Sequence, residues 1–321
     1  MQQNNNEGIN PSLDQNNIQN SNLKKSRGQV VIIIAWIAML IPSSLSIILW
    51  RELGPGEPFW WPLIILISLL ILVVSGFLIR GLKPLRNFMI ILLIIYLVGF
   101  GGGWQFGLIP FIRELPAWIT WTESLPWALS SIFIHLLRLT PAIVVLSYLV
   151  LIKRKRTDFF LVKGDITALV EPSKLIGMKN PEPWPKIGLI FAAIFTAGTF
   201  IFLISTTPPS LTQFIQAIPL IPVSILIAAI NAFNEEFTLR AAPLSELWKV
   251  IGKKQGLLIT TLYFGMGHYY GVPSGIIGVA LSAFLGWFLG KSLLETRGFF
   301  WAWFIHFLPD IVIFTFYAML L

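Results

Sequence analysis

Apolar runs of about 20 residues recur along this chain, at about 29–50, 59–80, 87–104, 126–152, 187–206, 214–239, 256–270, 273–290 and 298–320. No other feature constrains the fold as much. A run of that length matches a hydrocarbon layer about 30 Å thick at about 1.5 Å of rise per residue. In lipid, each backbone N–H and C=O must be paired within the spanning structure, which helices do unaided. The pattern predicts an all-α polytopic transmembrane bundle of about eight to nine spans. Composition agrees, because a chain 55% hydrophobic and 12% charged, with mean hydropathy +0.77, is neither an ordinary soluble domain nor a disordered one. Cysteine is absent, which excludes disulfides and thiolate metal sites.

Charge placement organises the runs. Residues 1–28 are rich in Asn and Gln and lack an apolar core, so they are expected to form a disordered cytoplasmic tail rather than a signal peptide. Lys24, Lys25 and Arg27 precede the first run, and Arg80, Lys83 and Arg86 follow the second. Lys153 to Arg156, with Lys163, Lys174, Lys179 and Lys186, fill the joint after the fourth. Lys249, Lys253, Lys254, Lys291 and Arg297 continue the alternation, while Arg51 and Arg113 are the basic residues of the intervening joints. Basic residues collect in cytoplasmic loops, so the N-terminus is expected inside a cell membrane that the chain crosses many times. The net charge of +8 follows from this bias toward an anionic leaflet, and no nucleic-acid partner is needed to explain it. The expected units are the tail, an N-terminal transmembrane region 29–152, a basic cytoplasmic loop 153–186 and a core 187–321. The stretch from Gly101 to Leu125 is too broken by Pro, Gly and charge to span; it lies on the surface or re-enters.

Ionisable residues inside such runs cost roughly 2.5–3.5 kcal/mol each on insertion scales and therefore mark sites or pathways. They are few: His135 and Arg138, Glu235 and Glu236, His268, and His306 with Asp310. His135 reads as a satisfied bundle histidine, and Arg138 either snorkels or pairs with an acid. In Asn231-Ala-Phe-Asn-Glu235-Glu236-Phe-Thr-Leu-Arg240, residues four apart share a helix face. Glu236 thus falls under Arg240 and Glu235 under Asn231, with the two carboxylates about 100° apart. Phe264 and His268 repeat that spacing, as do His306 and Asp310, between which Pro309 removes a backbone donor and should kink the helix. Counted from the cytoplasmic ends, Glu235, His306 and His268 fall roughly 8, 12 and 18 Å deep, which is compatible with one cavity.

Two carboxylates and two histidines in one buried pocket suit general acid–base chemistry on water, and hydrolysis of a peptide bond is the natural reaction. Glu235-Glu236-x-x-x-Arg240, Phe264-x-x-x-His268 and His306-x-x-x-Asp310 resemble the three motifs of the type II CAAX prenyl endopeptidase and bacteriocin-processing (CPBP, Abi) family of intramembrane proteases. The resemblance covers about residues 187–320. It implies that Glu235 and His268 activate water, that His306 and Asp310 form an oxyanion pocket, and that Glu236, Arg240, Phe264 and Asn231 support them. It implies a peptide or lipid-modified protein substrate, and no metal. One departure stands out: the last motif commonly ends in Asn, whereas an ionised Asp310 only accepts hydrogen bonds.

Other readings use the same residues. A zinc-dependent, metalloendopeptidase-like site would take Glu235, His268 and His306 as ligands with water in the fourth position, although no HExxH run is present. A non-catalytic scaffold or immunity protein would keep the pocket for folding or partner binding. A proton-coupled transporter would use the charges as a relay, but it would often show repeat symmetry, and here the ionisable residues gather at one end. Ser274 has the wrong surroundings for a rhomboid-type nucleophile.

Overall fold

The computed structural model describes residues 28–99 and 106–320. The expected tail, apart from Gly28, and the Gly101–Gly103 run lie outside the described residues. Among the described residues the fold is mainly helical, the chief exception being the irregular segment 152–183, which holds a two-residue ladder (Leu169–Val170 with Glu182–Pro183). In chain order the helices are α1 (Gly28–Leu40), α2 (Leu45–Leu53), α3 (Trp61–Leu78), α4 (Arg86–Val98), α5 (Leu108–Glu114), α6 (Pro116–Ser124), α7 (Trp127–Arg138) and α8 (Thr140–Leu151). After the ladder come α9 (Trp184–Thr206), α10 (Leu211–Ala217), α11 (Ile221–Glu235), α12 (Ala242–Gly267), α13 (Gly275–Thr296) and α14 (Phe300–Met319).

Among the described residues, six helical tracts are long and apolar enough to cross a membrane, and a seventh is added if α1 and α2, bent by 57° around Pro42, count as one. Helix α4 has only 13 residues, about 20 Å, which is too short to span alone. The runs at 214–239 and 256–270 form one continuous helical tract, Leu211–Gly267, counted once here though long enough for two crossings, so the count agrees approximately with the expected eight to nine. The tract's 57 residues exceed the thickness of one bilayer more than twofold, and Gly252 breaks it with φ 84° and ψ 158°, beside Lys249, Lys253 and Lys254. A left-handed backbone there requires glycine, and it falls where the basic residues led the sequence to expect a joint.

Burial separates the wall of this bundle from its centre. In α3 and α9, 17% of span residues are buried, against 44% in α13 and 50% in α14. The outward side chains of α3 include Leu63, Ile64, Ile67, Leu70, Ile71 and Val74, a stripe that only lipid can cover at low cost. The chain is a multi-pass membrane protein. At its centre α14 packs against α9 and α11, and α12 packs along α13. Gly265 lets α12 and α13 meet closely, since a Cβ there would stand 2.8 Å from the Ala283 methyl and 2.9 Å from the Val279 carbonyl.

The segment between α8 and α9, expected as a basic loop, is tied down at several points. Phe159 and Phe160 are buried in the main apolar cluster with Trp184, Phe237 and Trp301. Asp165 N–H donates to the Thr296 carbonyl (2.8 Å), Phe299 N–H to the Val162 carbonyl (2.8 Å) and Trp301 Nε1–H to the Ile166 carbonyl (2.9 Å). Those bonds fix the entry of α14 and hence the height of His306. The N-terminal helices join the core through a second apolar cluster, in which Ala35, Met39, Leu69, Phe88 and Leu92 pack with Leu247, Ile259 and Tyr263.

Candidate active site

Helix α11 ends at Glu235, and Glu236–Ala241 continues it as a π-helical turn before α12 begins. Such a wide turn inserts a residue into the α-helical register and is frequent at functional sites. Here it begins at the second of the two adjacent glutamates and includes Arg240. Glu235, Glu236, Arg240, Asn231, His306 and Asp310 are all buried, with Glu236 and Arg240 fully so.

The expected division of the glutamates is what the side chains do. Arg240 Nη1 donates to Glu236 Oε2, and Asn231 Nδ2 donates to Glu235 Oε1 (3.2 Å). Helix α14 then closes the arrangement from the other side. His306 Nδ1 meets Glu236 Oε1 at 2.6 Å, so that nitrogen carries its proton toward an acceptor. Its Nε2 faces Glu235 Oε2 and Asp310 Oδ1, each at 3.7 Å. Asn231 Nδ2 also donates to Asp310 Oδ2 (2.9 Å), so one amide ties two acids from two helices. Trp303 Nε1–H, donating to the Ala229 carbonyl at 3.1 Å, pins α14 to α11 one turn away. Helix α14 continues through Pro309, which leaves the Ile305 carbonyl without its intrahelical donor.

His268 caps α12, and its Nδ1 lies 2.9 Å from the Phe264 carbonyl. A carbonyl can only accept, so Nδ1 holds the proton and Nε2 keeps its lone pair. Phe264 organises the middle of the site: its ring is 4.4 Å from His268, edge-on to His306 at 5.9 Å, and 4.3 Å beneath the Arg240 guanidinium. A cation over an aromatic face offsets part of the desolvation of a fully buried arginine. The eight residues singled out from the sequence thus gather around one locus.

Three components were not singled out as site residues. Arg138 of α7 pairs with Glu235, Nη2 to Oε1 at 3.3 Å. The sequence showed it as a charge inside an apolar run but gave no partner. Gly286 and Gly290 of α13 make room for Arg240: a Cβ at Gly286 would stand 3.1 Å from Arg240 Nη2 and 3.2 Å from Phe264 Cδ1. Small residues four apart on one helix are the readable sign of such close packing. His135 is less satisfied than expected, with Nδ1 bonded to the Ser131 carbonyl (2.7 Å) and Nε2 buried without a partner.

Among the described residues no three His, Asp or Glu side chains are disposed to hold a metal ion.

Fold and site together define a multi-pass helical membrane protein with a carboxylate–imidazole cluster held between spans. Residues 216–312, less than a third of the chain, match the family described as Rce1-like, Type II CAAX prenyl endopeptidase Rce1-like, so this segment is similar to a CAAX-type protease family. No curated protein and no solved structure matches the chain. The matched segment runs from α10 into α14, so it holds all three motifs and excludes α7 with Arg138.

Proposed function

We propose that this chain is an intramembrane endopeptidase that hydrolyses a peptide bond without a metal, with Glu235 as the base. The observation that carries the reading is the convergence of Glu235, Glu236, His306 and Asp310 from α11 and α14 into one buried cluster. Water placed between Glu235 Oε2 and His268 Nε2 gives a proton to the carboxylate as its oxygen adds to the scissile carbonyl carbon. The carbonyl oxygen takes up the negative charge. The proton then passes from Glu235 to the leaving nitrogen, and the C–N bond breaks.

With Nδ1–H committed to Glu236, His306 offers an oxyanion a hydrogen from Nε2 only as the doubly protonated imidazolium, the form that the surrounding Glu235, Glu236 and Asp310 carboxylates suit. A donor fixed in a dry site contributes about 3–4 kcal/mol to such a transition state. Glu236 and Arg240 brace that imidazole. Asp310 accepts from Asn231 and faces His306, which suits an orienting role better than direct donation. The family supports a peptide substrate bearing a prenylated cysteine, and the basic joints support a cytoplasmic N-terminus.

The test is hydrolysis of a prenylated-cysteine peptide by the purified protein in liposomes, with Glu235→Gln, His268→Ala and a chelator series. Activity is expected to fall by about 10²–10⁴ in each variant. Full activity in both variants would refute the assignment. Loss on chelation with recovery on adding zinc would instead overturn the metal-free reading in favour of a zinc-dependent site. Intact folding with no hydrolysis by the parent protein favours the scaffold or immunity reading.

A further inference from the structure

The matched family segment begins after α7, yet α7 reaches the centre of the site. Trp127–Leu151 is one 25-residue tract, and Arg138 is its twelfth residue. At about 1.5 Å per residue it lies about 17 Å from one end and about 20 Å from the other, too deep for its side chain to reach either interface. A guanidinium at that depth needs an acid, and among the described residues it bridges Glu235.

The atoms involved are informative. Glu235 Oε1 accepts from both Asn231 Nδ2 (3.2 Å) and Arg138 Nη2 (3.3 Å). Glu235 Oε2 is left facing His306 Nε2 at 3.7 Å. One oxygen is anchored by two donors from two helices, and the other keeps its lone pairs for the reaction. Charge points the same way, because Glu235, Glu236 and Asp310 crowd one low-dielectric site where Arg240 is committed to Glu236. A second guanidinium offsets the next carboxylate.

We propose that Arg138 is a positioning residue for proteolysis: it holds Oε1 of Glu235 so that Oε2 takes the proton from water, and the region N-terminal to the family segment completes the site. This rests on Glu235 being the base. A purely structural arginine would lose stability when replaced, whereas a positioning one loses turnover.

The experiment compares Arg138→Met, Arg138→Lys and Glu235→Gln in the full chain in liposomes, using the prenylated-cysteine peptide and thermal unfolding in parallel. For Arg138→Met, kcat is expected to fall about 10- to 100-fold, as misplacement of a reacting group does, with KM within about threefold and unfolding temperature little changed. Arg138→Lys, which keeps the charge, should recover most of kcat. An Arg138→Met variant with parental kcat beside an inactive Glu235→Gln overturns this inference alone. A fully active Glu235→Gln overturns the base assignment and the inference with it. Loss of kcat in step with stability, unrelieved by lysine, makes Arg138 structural and also overturns it. If Arg138→Met fails to accumulate, Arg138→Gln is read by the same criteria.

Discussion

Two polar networks between helices, one partly buried and one buried, hold this molecule together, and they differ in what they leave unpaired. At the joint between α4, α8 and α12, Glu246 accepts from Arg154 Nε (2.8 Å), Arg154 Nη2 (2.7 Å) and Asn87 Nδ2 (3.0 Å), while Asn87 Oδ1 accepts from Tyr148 (3.0 Å). Each of those groups has its partner. In the site formed by α7, α11 and α14, Asn231 Oδ1, Arg138 Nε, and Arg240 Nε and Nη2 are buried without one. A fully paired network specifies packing, because any displacement strands a buried polar group. A network with spare donors and acceptors gives up that stability and keeps capacity for a molecule that has yet to arrive.

The sharpest way to break the contrast is to neutralise one acid in each network. Glu235→Gln is expected to lower turnover by about 10²–10⁴ while changing unfolding temperature little, since relief of repulsion with Asp310 offsets the loss of the charge paired with Arg138. Glu246→Gln is expected to do the opposite. It breaks a charge-assisted pair with Arg154, which is more than a third open to solvent and so partly screened, and costs about 1–2 kcal/mol. Hydrolysis per folded molecule should be unaltered. Unfolding in detergent and peptide hydrolysis on the same preparations check both, and a Glu246→Gln variant that is stable but inactive would erase the distinction.

The sequence made the α11 half of the site legible through simple geometry. Four-residue spacing placed Asn231 under Glu235 and Glu236 under Arg240, and both pairs form. The meeting of α11 with α14 was legible only as matching depth, because which helices adjoin in a bundle is set by long-range packing such as Trp303 on Ala229. Arg138 was visible as an unexplained charge and not as a partner of Glu235, for the same reason. Two runs could not be read from apolarity alone, because length decides there: α4 is apolar but short, and the tract through Gly252 is long but bent. The Glu236–Ala241 π turn has no composition of its own to betray it.

Smaller effects probe how tightly the unpaired network is held. Gly286→Ala places a methyl 3.1 Å from Arg240 Nη2 and 3.2 Å from Phe264 Cδ1, inside ordinary contact, so both must yield by a few tenths of an ångström. Overpacking of this kind costs about 1 kcal/mol. Because Phe264 carries His268 on its carbonyl, turnover should also fall, by about three- to tenfold, as expected for a small misplacement. An alanine variant with unchanged kcat and unfolding temperature would show that α13 has slack at this point.

Asp310→Asn should have the least effect, and its outcome says most about how the site differs from others built on the same motifs. Asp310 Oδ2 accepts from Asn231 and Oδ1 faces His306 Nε2. An asparagine can keep the first bond through its carbonyl oxygen while presenting its NH2 to the space beside His306, where an oxyanion would need a donor. What it gives up is one negative charge next to the imidazole. The two changes oppose each other, so turnover is expected within about fivefold of the parent, since one gained or lost neutral hydrogen bond is worth only about 1 kcal/mol. A loss beyond about 100-fold in this isosteric variant, read by hydrolysis in liposomes, would mean that the charge itself is required. Asp310 would then rank with Glu235 among the reacting groups.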